Sequence, residues 1–507
     1  MIRRLLLWFN VRRLVVAILF VALFAMAVRV PVDTDTWWHL AAGRVTLESG
    51  KILRTDLFSH TRYGSDWVNH SWLSQVILYW LFEHFSYAGL GLWMGAVVTV
   101  AFAFVYLQME GDPFARGIIL ILAAATSSVI WVARPQLFSF LLTAIVAYVL
   151  YLFKWRKINR LWLLPPVFLV WVNLHAGYAL GFMVMAAFVI GEVFNRVWHV
   201  LGGAREDSEG ADGDTPLLSW RDIGMIIGVA LLSVLILVVN PYTTRMWVYY
   251  LDTVGIGALQ DFIQEWQSPD FHPLHTHPFI WLLLGCLSVM GLSGRRADGT
   301  DLAMVGMFAY ASLLAGRNFG PFALIVAPVL SRHTSAMLAR WSKAGGWKLF
   351  SRRSTRPLMG LLNLVLLLLV VGLAVLKVWT PLTAEFNEQE QRKSLPVDAA
   401  AWVLANRPEG EMFNSYNWGG YLIWALYPHY GVFVDGRTDL YGDEFLREYL
   451  RAQLGKPGFE ETLSKYDINL VITYPDDALS VQLDCAGSWR NAYEDEVAVV
   501  WVRETAH

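Results

Sequence analysis

The chain has 507 residues, 56% hydrophobic and only 16% charged, whereas an ordinary globular chain is about 25% charged. That excludes a purely soluble protein. The formal net charge of −2, from Lys+Arg 40 against Asp+Glu 42, leaves no general basic surface for nucleic acid. Two cysteines, Cys286 in an apolar segment and Cys485 in a polar one, exclude a thiolate zinc site and do not suit a disulfide.

The N-terminus reads MIRRLLLWFNVRR before its first apolar run, which Arg29, Pro31 and Asp33 follow instead of a small-residue cleavage site. A retained membrane helix is expected there. About 20 apolar residues cross a bilayer. Candidate spans are 14–32, 88–108, 117–134, 137–153, 161–176, 178–195, 223–240, 278–294, 302–317, 319–333 and 358–380, about eleven. With a cytoplasmic N-terminus, 21 Lys and Arg fall in cytoplasmic segments and 8 in external loops and rims. Positive charge stays inside, so the termini are expected N-in and C-out. Trp72–Tyr87 is apolar but carries Glu83 and His84, and is read as a helix lying in the interface.

Residues 33–71 then form a first external loop and 241–277 a second. The stretch EDSEGADGD at 206–214 reads as a disordered cytoplasmic loop. Residues 1–384 are the membrane domain. From 385 to 507 the composition becomes that of a soluble extracytoplasmic α/β domain. Its expected elements are a helix from Ser394 and Pro396 to Asn406, a strand at Met412–Asn414, a helix at Trp418–Tyr427 and a buried strand at Gly431–Asp435. Helices at Asp443–Gln453 and Pro457–Tyr466, a strand at Ile468–Tyr474 and a closing hairpin at Ala492–Arg503 follow. Gly419–Gly420 alone does not make a phosphate loop.

Polar residues beside a membrane are costly and mark function by default, and here they gather at the outer ends of the spans. Asp33 and Asp35 are the sharpest pair: two carboxylates at i, i+2 can share a divalent cation such as Mg or Mn, or divide the work of base and positioner. The bland alternative is that Asp35 caps the helix beginning near Thr36. Arg134 and Arg317 suit a forked grip on phosphate, against simple snorkelling. His39, Asn173, His175 and Glu265 complete the candidate substrate-binding set, with His60 and His70 nearby in sequence. HPLHTHP at 272–278 has metal-ligand spacing but is broken by prolines. Trp418, Tyr421, Trp424, Tyr427 and Tyr430 near Asp435, Arg437 and Asp439 either bind carbohydrate or pack a core.

One span followed by DTDTWWHLAAG, with an acidic pair opening a long external loop, resembles the GT-C glycosyltransferases, which include protein O-mannosyltransferases, aminoarabinose transferases and oligosaccharyltransferases. NWGGYLIW and VFVDGRTDLYGDEF look like strings of bacterial GT-C-like membrane proteins. The resemblance implies a polytopic α-helical membrane protein with catalytic Asp33 and Asp35. It also implies a polyprenyl-phosphate sugar as donor and a glycan, lipid or protein as acceptor, at the outer face of a bacterial inner membrane. The acidic pair departs from the Asp-Glu of the mannosyltransferases. Other classes to weigh are a transporter or lipid flippase, and a non-enzymatic assembly protein that binds carbohydrate or a partner.

Overall fold

The computed structural model describes residues 6–201, 216–257, 261, 263–345 and 357–504, so the loop expected at 206–214 lies outside it. Each of the eleven apolar segments contains a helix: Val11–Ala27, Trp72–Gln108, Pro113–Ser127, Gln136–Trp155, Leu164–Leu174, Ala179–Leu201, Trp220–Ile236, His277–Leu292, Gly299–Leu314, Phe319–Gly345 and Pro357–Leu382. Among the described residues seven helical stretches are long and apolar enough to cross a membrane. This is an integral membrane protein. The other four helices are shorter, from 11 to 17 residues. Their ends are set by local chemistry. Asn10 accepts from Arg13 N and caps the first, Ser219 and Asp222 form a capping box on Trp220–Ile236, and prolines open Leu164–Leu174.

The helical run Trp72–Gln108 is broken at Ser86 (φ 52, ψ −145). The break separates the 72–85 segment, expected at the interface, from the 87–108 span. The 72–85 segment packs on the helix Thr34–Ser49 of the first external loop. Gly43 makes that contact possible, because a Cβ there would lie 2.2 Å from the Gln75 carbonyl oxygen.

At the end of the bundle away from Asp33, charge is buried. Lys154 pairs with Glu192 and Asp298 and donates to Thr300 Oγ1 (3.0 Å), while Arg332 pairs with Asp301. Lys154 and Arg332 therefore turn inward and are not the free loop charges that the orientation argument counted. Buried charges survive only when paired, and here the pairs tie four helices together.

The C-terminal segment carries a four-stranded sheet in the order β1-β2-β4-β3. β1 (Glu411–Asn414) runs parallel to β2 (Ile468–Thr473); β4 (Val499–Arg503) pairs antiparallel with β2 and with β3 (Trp489–Glu494). The strand expected at Gly431–Asp435 is absent from this sheet. Val432 instead bridges Ser59 in the first external loop, and the Asn414 side chain takes the place of a neighbouring strand, accepting from Phe433 N (2.8 Å) and donating to Val434 O (2.9 Å). One apolar core runs continuously from the first helix through Thr34–Ser49 to the helix Gly419–Leu426. The aromatic cluster belongs to it: Trp418 is 1% exposed, Tyr421 and Trp424 flank Trp37, and Tyr427 meets Phe58 edge-on at 5.1 Å. These rings pack a core.

Cys286 is buried and Cys485 exposed, both as free thiols. A membrane-impermeant thiol reagent on intact cells is expected to label Cys485 and spare Cys286. Labelling of Cys485 only after lysis would reverse the expected orientation.

Candidate active site

The loop after the first helix, expected to be external, turns into its own helix at Asp33. The Asp33 side chain is the N-cap, Oδ1 accepting from Asp35 N at 3.0 Å. The capping role thus falls to Asp33, not to Asp35 as the spacing suggested, because the helix starts at Thr34. Asp35 sits in the first turn, where its Oδ1 accepts from Trp38 Nε1 at 3.1 Å.

Arg134 lies between the carboxylates. Its Nη1 is 3.3 Å from Asp33 Oδ2 and 3.5 Å from Glu265 Oε2, and its Nη2 is 2.9 Å from Asp35 Oδ2. Asp33, Asp35, Glu265 and Arg134 are thus brought together from the first loop, the turn before Gln136–Trp155 and the second loop. Arg134 is not available to grip a phosphate in this arrangement, since three anions already share its fork. Burial pushes the Asp35 carboxyl up to about 6 against the pull of Arg134. Burial also works to raise Glu265, but Arg134 and Arg317 outweigh it and hold that carboxyl below its ordinary value.

Arg317 lies over the Trp266 ring at 4.1 Å, acts on the Glu265 carboxylate from a distance and forms no carboxylate ion pair within 4.0 Å among the described residues. His70 and His175 face each other with ring centroids 5.6 Å apart. His175 Nδ1 accepts from Gly177 N (3.0 Å) and contacts Ser139 Oγ (2.8 Å), which leaves the ring proton on Nε2. His70 Nδ1 is 2.7 Å from Tyr249 OH, which donates to Asp439 Oδ2 at 3.0 Å. That chain joins the 33–71 and 241–277 loops to the C-terminal segment. Burial brings His70 down to about 4 and His39 well below its usual range, so both are neutral.

Two expected ligands are spent on structure. His39 Nδ1 meets Gln75 Nε2 at 3.3 Å, and Gln75 is locked to Asn69 by a reciprocal amide pair at 2.7 Å each way. Asn173 accepts from Trp72 Nε1 (3.2 Å) and donates to Leu169 O and Val239 O (2.9 Å each), which uses up its amide as a splice between helices. His60 holds β1 through Met412 O at 3.0 Å.

Among the described residues no three His, Cys, Asp or Glu side chains come close enough to hold a metal ion, HPLHTHP included. Asp33 and Asp35 offer two carboxylates with a guanidinium between them. These residues do not form a metal cage in the arrangement they adopt.

The C-terminal segment contributes an ion cluster whose partners sequence reasoning missed. Arg437 forks onto Asp435, Nε to Oδ1 at 2.8 Å and Nη2 to Oδ2 at 2.6 Å, and reaches Asp56 Oδ1 at 2.5 Å. The sequence placed Asp435 and Arg437 beside the aromatic cluster, but nothing in it showed that they pair with each other and with Asp56.

No protein-family model and no curated protein sequence matches the chain. Solved structures do. The archaeal oligosaccharyltransferase AglB from Archaeoglobus fulgidus, in complex with an inhibitory peptide and a dolichol-phosphate, aligns at TM-score 0.56 and 12% identity over 90% of this chain and 69% of that one. A structure of an oligosaccharyltransferase from the same organism, tethered with an acceptor peptide containing the NVT sequon, aligns at TM-score 0.55 and 13% identity over 98% and 75%. ArnT from Cupriavidus metallidurans aligns at TM-score 0.49 and 14% identity over 95% and 97%. Likeness at 12–13% identity establishes architecture alone, and the chain has the fold of the archaeal oligosaccharyltransferases.

Proposed function

We propose that the chain transfers a sugar from a polyprenyl-phosphate-linked donor to a glycan, lipid or protein acceptor at the extracytoplasmic face of a bacterial inner membrane. The observation that carries this reading is the meeting of Asp33, Asp35 and Glu265 around Arg134 at one end of a bundle with the GT-C fold. The dolichol-phosphate in the archaeal complex supports the donor class.

The geometry supports the following chemistry. An acceptor hydroxyl forms a bond to the anomeric carbon, and its proton goes to Asp35. The bond from that carbon to the phosphate oxygen breaks, and the electron pair leaves with the lipid phosphate. Arg317 is the cation available to that developing charge, and the Nε2–H of His175 is a fixed donor beside it. Arg134 keeps the carboxylates apart and aligned. A transporter needs an open polar route, whereas the charged groups at the far end of the bundle are buried and paired.

The test is incubation of the purified protein with a panel of radiolabelled polyprenyl-phosphate sugars. Transfer of label to an acceptor fraction is expected, and label that only crosses the bilayer of a proteoliposome would favour the flippase reading. With Arg134 as the cation between the carboxylates, EDTA is expected to leave turnover unchanged. Loss of turnover that Mg or Mn restores would place a metal at Asp33 and Asp35.

A further inference from the structure

The catalytic turn is covered by the C-terminal segment along a seam of glycines. A Cβ on Gly420 would lie 2.4 Å from the Thr34 carbonyl oxygen, and one on Gly436 would lie 2.1 Å from Asp35 Oδ1. One on Gly419 would lie 2.1 Å from Val434 O and 2.7 Å from the Asp435 Cβ. Real Cβ atoms essentially never come within 3.0 Å of such neighbours, so at Gly419 and Gly420 the backbone opposite leaves room only for hydrogen, while at Gly436 a side chain would have to displace the Asp35 carboxylate. Tyr421 N donates to Thr34 Oγ1 at 3.2 Å and closes the same seam.

The Asp35 carboxylate is therefore held on three sides. Trp38 Nε1 binds Oδ1, Arg134 binds Oδ2, and Gly436 lies against the carboxylate closely enough that a Cβ there would be 2.1 Å from Oδ1. Gly436 is itself fixed by its neighbours, since Asp435 and Arg437 are forked together and anchored to Asp56. The Tyr416 phenol lies on the same side. Burial and the negative charges of Asp35, Asp435 and Glu265 hold it well above its ordinary value.

We infer that Gly436 is a positioning residue for sugar transfer and that the Asp435–Gly436–Arg437 turn makes the C-terminal segment part of the active centre. This rests on the assignment of Asp35 as the base. A base works only within a narrow geometry, and a displacement of about 1 Å can cost about 100-fold. The added methyl of Gly436→Ala must push the carboxylate out of its place between Trp38 and Arg134.

The experiment compares kcat, donor KM and the pH profile of Gly436→Ala with those of Gly224→Ala, where a Cβ meets nothing within 4 Å. Gly436→Ala is expected to lower kcat about 10- to 100-fold. Donor KM should hold, and the low-pH limb of kcat/KM should move as Asp35 changes surroundings. Gly224→Ala should match the parent protein. Unchanged kcat and pH profile in a folded Gly436→Ala, or a loss confined to KM, overturns the inference. Should that variant fail to fold, Arg437→Lys decides: it keeps the charge but loses the fork, and an unmoved kcat and pH limb would equally overturn it. Asp35→Asn run alongside separates the two readings. If it retains turnover, the base assignment fails; if it is inactive while Gly436→Ala is normal, only the positioning role fails.

Discussion

Asp35→Asn is expected to lower turnover about 10²- to 10⁴-fold, the usual cost of losing a general base, while leaving the protein folded. Asn keeps the size of the side chain and can still accept from Trp38 Nε1. The cap of the helix is untouched, because Asp33 supplies it. Stability should not fall. Burial raises the folded-state carboxyl to about 6 from an ordinary 3.8, so the folded protein binds this proton more tightly than the unfolded chain does. The ionised group therefore opposes folding above that window, and its contribution becomes favourable as pH falls from about 6 toward 4. Removing the charge at pH 7 relieves that cost. The same shift sets a pH dependence: kcat/KM should be half lost near pH 6 and fall about tenfold per unit below it. The measurement is transfer by purified variants of matched thermal stability. Near-normal turnover by Asp35→Asn would remove the base and leave Asp35 with only a packing role.

Much of the membrane region could be read from local signals. Apolar length marked the helices, and Asp33, Asp35, Arg134, Glu265 and Arg317 stood out because charge at a span's end is costly. What could not be read was which of these groups touch. Arg134 looked like a phosphate ligand because nothing in its own neighbourhood shows that three carboxylates arrive from two other loops. Asn173 and His39 looked free for the same reason, although Trp72, Leu169 and Val239 satisfy one and Gln75 the other. The helix starts two residues earlier than the alternative capping reading placed it, at Thr34 and not near Thr36, so the cap is Asp33 and not Asp35. The strand expected at Gly431–Asp435 has the apolar run of a buried strand, but its partners are Ser59 and the Asn414 side chain. Gly419, Gly420 and Gly436 carry no chemistry, so their value emerges only once the C-terminal segment is laid against the Asp33–Asp35 turn.

Arg437→Met is expected to destabilise the protein by about 3–5 kcal/mol, the cost of removing one partner from a buried ion pair. Arg437, Asp435 and Asp56 have side chains at most 1% exposed. The guanidinium lies 4.8 Å from the Trp67 ring and 5.4 Å from that of Phe58, so little water can enter when it is lost. Two carboxylates would then be left in an apolar pocket with their cationic partner gone. Asp56 would still accept from Phe58 N (3.0 Å) and Ser59 N (3.1 Å), and Asp435 from Tyr441 OH (2.6 Å), but none of these donors carries charge. One way to relieve the strain is to separate the first external loop from the C-terminal segment, breaking the bridge in which Val432 N donates to Phe58 O and His60 N to Val432 O. The loss should therefore be local before it is global. Hydrogen exchange is expected to rise at residues 56–62 and 431–437, while the amides of Gln136–Trp155 stay protected. Thermal unfolding in detergent should occur at a lower temperature, and Arg437→Lys should lose less than Arg437→Met because it retains a positive charge. Wild-type protection and unfolding temperature in Arg437→Met would show that the ion cluster contributes nothing to holding the two segments together.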